Sequence, residues 1–237
     1  MTTDHPLPPD VATGHRFPRL AKKESDGVFC YHVQRRVSCH ITRLCNSIGM
    51  QPSLATGLDL LFAVAAAVLL YLQYFFVSVL FIQLFGLFSC VDGELARLSG
   101  RTSLLGDYYD TMVDRFAELL IAGSLFLGLS LKGAHSIDFP EGLLFAYLGA
   151  VFLITNSSEK FRSTFKRNYP KRKVEGLFTW ICAGSDVRLF YLSIGILVIA
   201  VTGSSTLLFW ILLSLSVSLY LNFLFRLRKV RQQEAQP

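Results

Sequence analysis

The chain alternates between long apolar runs and short polar, mostly basic breaks. Leu54 to Val91 is almost unbroken apolar sequence. At about 1.5 Å per residue, one helix of that length would be nearly twice as long as a bilayer core of about 30 Å is thick. The run must therefore fold back once, and Gln73 and Tyr74 mark the place. That gives two spans, about 54–72 and 74–95. Four more apolar stretches predict helices: Asp107 to Leu131, Gly142 to Ser157, Asp186 to Thr202 and Thr206 to Phe225. The expected fold class is all-α and integral to a membrane, with six transmembrane helices. Ahead of them, Val33, Val37, Ile41, Leu44 and Ile48 recur at helical spacing, with Arg35, Arg36 and Arg43 mostly off that stripe. Tyr31 to Ile48 is thus predicted to be an amphipathic interfacial helix against anionic headgroups. Residues 1–28 have no apolar segment of the signal-peptide kind. They are expected to form a disordered cytoplasmic tail, with residues 29–237 as one membrane domain.

Composition supports the membrane reading. The 237 residues are 52% hydrophobic and 17% charged, against about 25% charged in soluble domains. The net charge of +6 would also suit nucleic acid, but each basic cluster flanks an apolar run, so topology explains it and no nucleic-acid partner is expected. With six spans, 22 of the 23 Lys and Arg fall on one side and Lys132 alone falls on the other. The positive-inside rule then places both termini and the 97–106 and 158–186 loops in the cytoplasm, in a bacterial inner membrane. The five cysteines are odd in number and contain no CxxC pair, so neither a disulfide framework nor a zinc site is expected.

The chemistry concentrates in one stretch: Asp92-Gly93-Glu94-Leu95-Ala96-Arg97, then Gly106, Asp110 and Asp114. Asp92 closes the second span. Asp110 and Asp114 stand four apart on the third and share a helical face. A charge at mid-bilayer costs about 2.5–3.5 kcal/mol on insertion scales, and carboxylates aimed at one cavity repel each other. A divalent cation offsets both costs, and Asp oxygens suit Mg2+. No His or Cys accompanies the acids, which argues against zinc or copper. Gly93, Ala96 and Gly106 keep the wall shallow, so that a nucleotide can approach the backbone. Arg97 is placed to pair with a pyrophosphate or a carboxylate.

The segment Asp92 to Asp114 resembles the CDP-alcohol phosphatidyltransferase signature, DGxxAR, eight residues, then GxxxDxxxD. Gly49 to Thr56 is similar to the GxxPNxxT entry to the first span, with Ser53 in place of Asn. Asp186-Val187-Arg188-Leu189-Phe190 resembles the start of the fifth span in inositol-phosphate-using members. The resemblance covers about residues 35–225. It implies a homodimer of six-helix protomers, with a polar cavity open to the cytoplasm and two Mg2+ (or Mn2+) ions at each site. It further implies that Asp92, Asp110 and Asp114 are metal ligands and that Asp114 is also the catalytic base. Thr56, Asp92, Gly93, Ala96, Arg97 and Gly106 would hold the CDP group.

The full signature carries a further Asp three residues before Asp92, where this chain has Ser89. Asp59, Asp107 or Ser89 itself would then complete the ligand set, or the site has weakened metal affinity. Otherwise the chain is a catalytically impaired relative serving as a binding or partner protein. On the acceptor side the candidates are Lys160, Arg162 and Arg188. Ser185 stands where inositol-phosphate users commonly have Arg, so the acceptor is expected to be a small polar or phosphorylated alcohol of unspecified kind. The expected reaction is Mg2+-dependent transfer of a phosphatidyl or other phospho-alcohol group from CDP-diacylglycerol or another CDP-alcohol, with release of CMP, in phospholipid biosynthesis. A transporter would place acids near mid-bilayer on several spans, whereas these gather at one edge.

Overall fold

The computed structural model of the chain describes residues 26–131, 141–166 and 168–234. A π-helical turn over Cys30–Gln34 runs into α1 (Arg35–Ser47). Then follow α2 (Pro52–Tyr71), α3 (Phe75–Leu98), α4 (Leu104–Leu131) and α5 (Glu141–Phe165). Two one-turn helices, α6 (Lys171–Val174) and α7 (Phe178–Ile181), lead to α8 (Ser185–Thr202) and α9 (Thr206–Glu234). No strand occurs among the described residues. The fold is all-α and membrane-integral. Five of these helices (α2, α3, α5, α8 and α9) are long and apolar enough to cross a bilayer. α4 has 28 residues, but Asp107, Asp110, Asp114, Arg115 and Glu118 crowd its first half.

Local chemistry sets the element ends. Pro52 opens α2 at its first position, where the missing N–H costs nothing. The expected reversal occurs between Tyr71 and Phe75. Gln73 takes a left-handed φ of 66°, and its side-chain amide donates to the Gly128 carbonyl of α4 at 2.8 Å. That anchor repays the strain of a non-glycine residue in this region. Gly128 is required there, because a Cβ would stand 2.8 Å from the Leu70 carbonyl oxygen.

α2 packs on both α3 and α4. α9 packs on α5 and α8, and α3 joins the two groups by meeting α8. Small residues make the first set tight: Ala63 and Ala66 of α2 and Ala117 of α4 are wholly buried. The second set is larger-grained, with Ile154, Ile196, Leu208 and Leu219 wholly or almost wholly inside.

Three expectations change. Among the described residues Asp26 and Val28 are already buried, so the last residues of the stretch read as a tail belong to the domain. Residues 1–25 lie outside the described residues. α5 and α9 run well past Ser157 and Phe225, because their basic ends continue the helix after the apolar run stops. Arg35 does not face headgroups. It is 6% exposed and pairs with Asp26 at 3.1 Å and Glu94 at 2.9 Å. The π-helical turn and α1 together turn a polar stripe of Gln34, Ser38 and Thr42 toward the protein and leave Val33, Val37, Leu44 and, just past the helix end, Ile48 outside. That inversion suits a helix whose outer face meets lipid.

Candidate active site

The acids meet where one end of α2, α3 and α4 converges. Thr56, one turn into α2, donates through Oγ1 to Asp92 Oδ2 of α3 at 2.9 Å. The Gly93 N–H donates to Asp92 Oδ1. One turn deeper, Ser89 Oγ donates to Asp114 Oδ1 of α4 at 3.2 Å. Two layers follow from helical geometry: Thr56 with Asp92 above, and Asp59, Ser89 and Asp114 below. The strongest charged influences on Asp59 are Asp114, Asp92 and Asp110, and the Ser89 backbone lies beside it. Asp59 therefore lies within electrostatic reach of Asp92, Asp110 and Asp114.

Above them opens a cavity of about 510 Å3, within the range that suits a small organic ligand. Its wall includes Thr56, Asp92, Gly93, Ala96, Arg97, Gly106 and Asp110. Every residue assigned from the sequence to CDP thus lines one space. The loop between α3 and α4 adds Arg101, Thr102 and Ser103. A Cβ on Gly93 would stand 3.2 Å from Arg97 Nη1, so this glycine lets the guanidinium lie along the wall.

A second, open cavity of about 880 Å3 lies beside the first, and Asp107 lines both. Lys160, Arg162, Ser163 and Lys166 from the extension of α5 form much of its wall. Two of the three acceptor candidates are therefore adjacent to the acids. Arg162 is already engaged, with Asp107 at 2.8 Å and Glu159 at 3.1 Å. This pair also commits Asp107, which leaves it poorly placed to complete a ligand set. Arg188 is the exception among the acceptor candidates. It is 1% exposed, and its Nε and Nη2 donate to the two oxygens of Glu118 at 2.7 and 2.9 Å. A bidentate partner and a third bond to the Cys182 carbonyl make it a buried tie between α4 and α8.

Sequence reading missed several residues. Glu94 sits within the motif but turns away from the cavity. It accepts from Arg35, Ser38 and Thr42 at 2.9, 2.7 and 2.7 Å. The four-residue spacing of Ser38 and Thr42 on α1 was the available signal. Lys171 was counted among the topological charges. Here it is half-buried, and burial and nearby Arg226 lower its pKa to about 8. It is also among the charges acting on Asp114. The five cysteines are free thiols. Burial, with Glu94 nearby, raises the Cys39 thiol.

The donor set at the convergence is all oxygen, which suits a hard divalent cation. Among the described residues, no three His, Cys, Asp or Glu side chains already stand around one point. The fit rests instead on Asp59, which is 0% exposed and has no hydrogen-bond partner on either carboxylate oxygen. A buried carboxylate among other carboxylates needs a cation or a proton.

The profile of the family described as CDP-alcohol phosphatidyltransferase matches residues 50–218. The chain belongs to this family, whose members are enzymes that transfer a phospho-alcohol from a CDP-alcohol. Among characterised relatives, a bifunctional IPC transferase and DIPP synthase of Thermococcus kodakarensis is 28% identical over 212 residues, covering 82% of this chain and 48% of that protein. A protein of the same description from Rubrobacter xylanophilus is 31% identical over 114 residues, covering 48% of this chain and 23% of that protein. The chain thus spans about half or less of the length of these relatives. Among solved structures, the Mycobacterium tuberculosis phosphatidylinositol phosphate synthase with CDP-DAG bound superposes with a TM-score of 0.65. It is 20% identical, and the match covers 81% of this chain and 92% of that one. That likeness speaks for the fold.

Proposed function

We propose that this chain is a divalent-metal-dependent transferase that moves a phosphatidyl group from CDP-diacylglycerol to a small polar or phosphorylated alcohol, releasing CMP. The observation that carries this reading is the 510 Å3 cavity, on whose wall Thr56, Asp92, Gly93, Ala96, Arg97, Gly106 and Asp110 from three helices come together. A lipid donor is supported by the CDP-DAG in the fold relative and by a cavity formed at the ends of apolar helices. A soluble CDP-alcohol is the second donor to test, because the sequence relatives are described as IPC transferases and DIPP synthases.

In this reading the donor pyrophosphate lies along Gly93 and Arg97, whose guanidinium pairs with its oxygens. Gly106 and Ala96 leave room for the cytidine. Asp92, Asp110 and Asp114 would hold Mg2+ or Mn2+, two ions per site, which when bound neutralise the pyrophosphate oxygens and the departing CMP. Asp114 takes the proton of the acceptor hydroxyl, a contribution of about 10²–10⁴-fold. The acceptor oxygen then bonds to the lipid-bearing phosphorus, the bond from that phosphorus to the bridging oxygen breaks, and CMP leaves with that oxygen. Lys160 and Lys171 supply positive charge on the acceptor side, where a phosphorylated alcohol would enter. α4 makes the sixth span, the basic loops face the cytoplasm of a bacterial inner membrane, and two protomers pair.

The test is purified protein in detergent with Mg2+, CDP-diacylglycerol or a soluble CDP-alcohol, and a panel of alcohols. CMP release that requires both metal and acceptor supports the transferase. No CMP from any donor, with Mg2+ or Mn2+ present, removes it.

A further inference from the structure

Six acids are buried among the described residues: Asp26, Asp59, Asp92, Glu94, Glu118 and Glu175. Four of them pair with arginine: Asp26 and Glu94 with Arg35, Glu118 with Arg188, and Glu175 with Arg226. Asp92 accepts from Thr56 and from the Gly93 amide. Asp59 alone has no donor on either oxygen. An ionised carboxylate without a partner is expensive to bury, and here its strongest charged neighbours are three more aspartates. The protein has supplied every other buried acid with a partner of its own, so this one is matched to something that comes from outside.

Position within the helix pair says what that is. Asp59 follows Thr56 by three residues, on the same face of α2. Thr56 touches Asp92, so Asp59 faces the preceding turn of α3, at Ser89. Ser89 is neutral and spends its hydroxyl on Asp114. The lower layer therefore holds one acid from α2, one from α4 and none from α3.

We propose that Asp59 is a ligand of the divalent cation held by Asp92, Asp110 and Asp114, supplying from α2 a carboxylate at the level where α3 presents the neutral Ser89. The proposal rests on the metal-dependent reading above and adds to it a residue outside the signature. Asp107, the other acid nearby, is engaged with Arg162.

The experiment measures metal binding directly, without turnover. The full chain in detergent is titrated with Mn2+, the free ion is followed by electron paramagnetic resonance, and the unfolding temperature is read with and without Mn2+. Substituting a residue that only hydrogen-bonds to a metal's ligand already costs about 10–100-fold in metal affinity, so Asp59→Asn is expected to weaken Mn2+ binding at least about tenfold. It should also remove most of the Mn2+-induced rise in unfolding temperature. Asp59→Asn combined with Ser89→Asp, which returns one carboxylate to the layer from α3, is expected to recover most of the affinity. This double variant also carries the test where the single variant fails to fold. Wild-type Mn2+ affinity in Asp59→Asn overturns the proposal, as does a loss that Ser89→Asp does not repair. If the unmodified chain binds no Mn2+ at all, the metal-dependent reading falls with it. Normal metal binding without CMP release removes the transfer reading and leaves Asp59 as a ligand.

Discussion

Asp92 and Glu94 lie two residues apart on α3 and serve different ends. Glu94 faces α1, where Arg35, Ser38 and Thr42 occupy both of its oxygens. Asp92 faces the cavity, and its partners there are a threonine hydroxyl and a backbone amide. The same helix thus holds one acid closed by a fixed cation and another whose hydrogen-bond donors are neutral. A carboxylate paired with arginine holds structure together. One left with neutral partners keeps its charge available to a ligand, at some expense to the fold. Substitutions on the two sides should therefore fail in different ways.

The largest effect belongs to the open side. Asp114→Asn should lower the transfer rate by about 10²–10⁴-fold, the usual contribution of a positioned general base. Its unfolding temperature in detergent should stay at or above that of the unmodified protein, since a repelling charge has been removed. A fall in both together would make Asp114 structural and erase the distinction from Glu94.

The closed side should show the reverse. Glu94→Gln leaves Arg35 with Asp26 as its one carboxylate partner. Breaking a buried ion pair at one end typically costs about 3–5 kcal/mol. Denaturant unfolding of the solubilised protein should register a loss approaching that size. The apparent KM for the CDP donor in the fraction that remains folded should change little. A variant that removes both ends, Arg35→Met with Glu94→Leu, should cost less than Glu94→Gln alone.

Sequence showed much of this layout. Hydrophobic runs located the helices, and Gln73 was placed at the reversal because no bilayer accommodates a helix of that length. The spacing of Asp110 and Asp114 put them on one face, and the glycine-rich motif marked the cavity wall. Other features were hidden for physical reasons. Arg35 looks like its neighbour Arg36 in a polarity pattern, and only its contact with Glu94, 59 residues away, makes it internal. Arg188 reads as a cytoplasmic charge until Glu118 is found beside it, 70 positions earlier. A buried ion pair mimics two surface charges in one dimension. Asp59 was visible as an acid near a span end, but its lack of any donor is a property of packing and has no trace in composition.

A smaller effect tests whether the cavity wall is tuned. In Gly93→Ala the new methyl would meet Arg97 Nη1 at 3.2 Å, and the guanidinium must shift along the wall. A hydrogen bond to a charged group is worth about 1.5–3 kcal/mol, so partial loss should raise KM for the CDP donor about tenfold. Stability should hold, because the contact is with the end of a flexible side chain. Unchanged donor kinetics would mean that Arg97 does not touch the pyrophosphate, and the open side of α3 would reduce to Asp92.

The smallest effect is a pH dependence set by Lys171. Lys171 has a pKa lowered to about 8 from 10.5, first by burial and next by Arg226; Arg115 and Arg188 act in the same direction and Glu175 opposes them. Between pH 8 and 10.5 the folded protein has released this proton while the unfolded chain still holds it. The unfolded state binds more protons in that window, so stability should rise with pH across it. The gain is complete above 10.5 and is lost as pH falls through about 8. Tyr169, raised to about 12 by burial, pulls the other way above its ordinary value near 10, so the useful range is pH 8 to 10. Unfolding temperatures of the unmodified chain and of Lys171→Met, compared across that range, should converge as pH rises. Parallel curves would place Lys171 among the solvated charges of the basic loop. Converging curves would show that this lysine is held charged against the cost of its burial, close enough to act on Asp114.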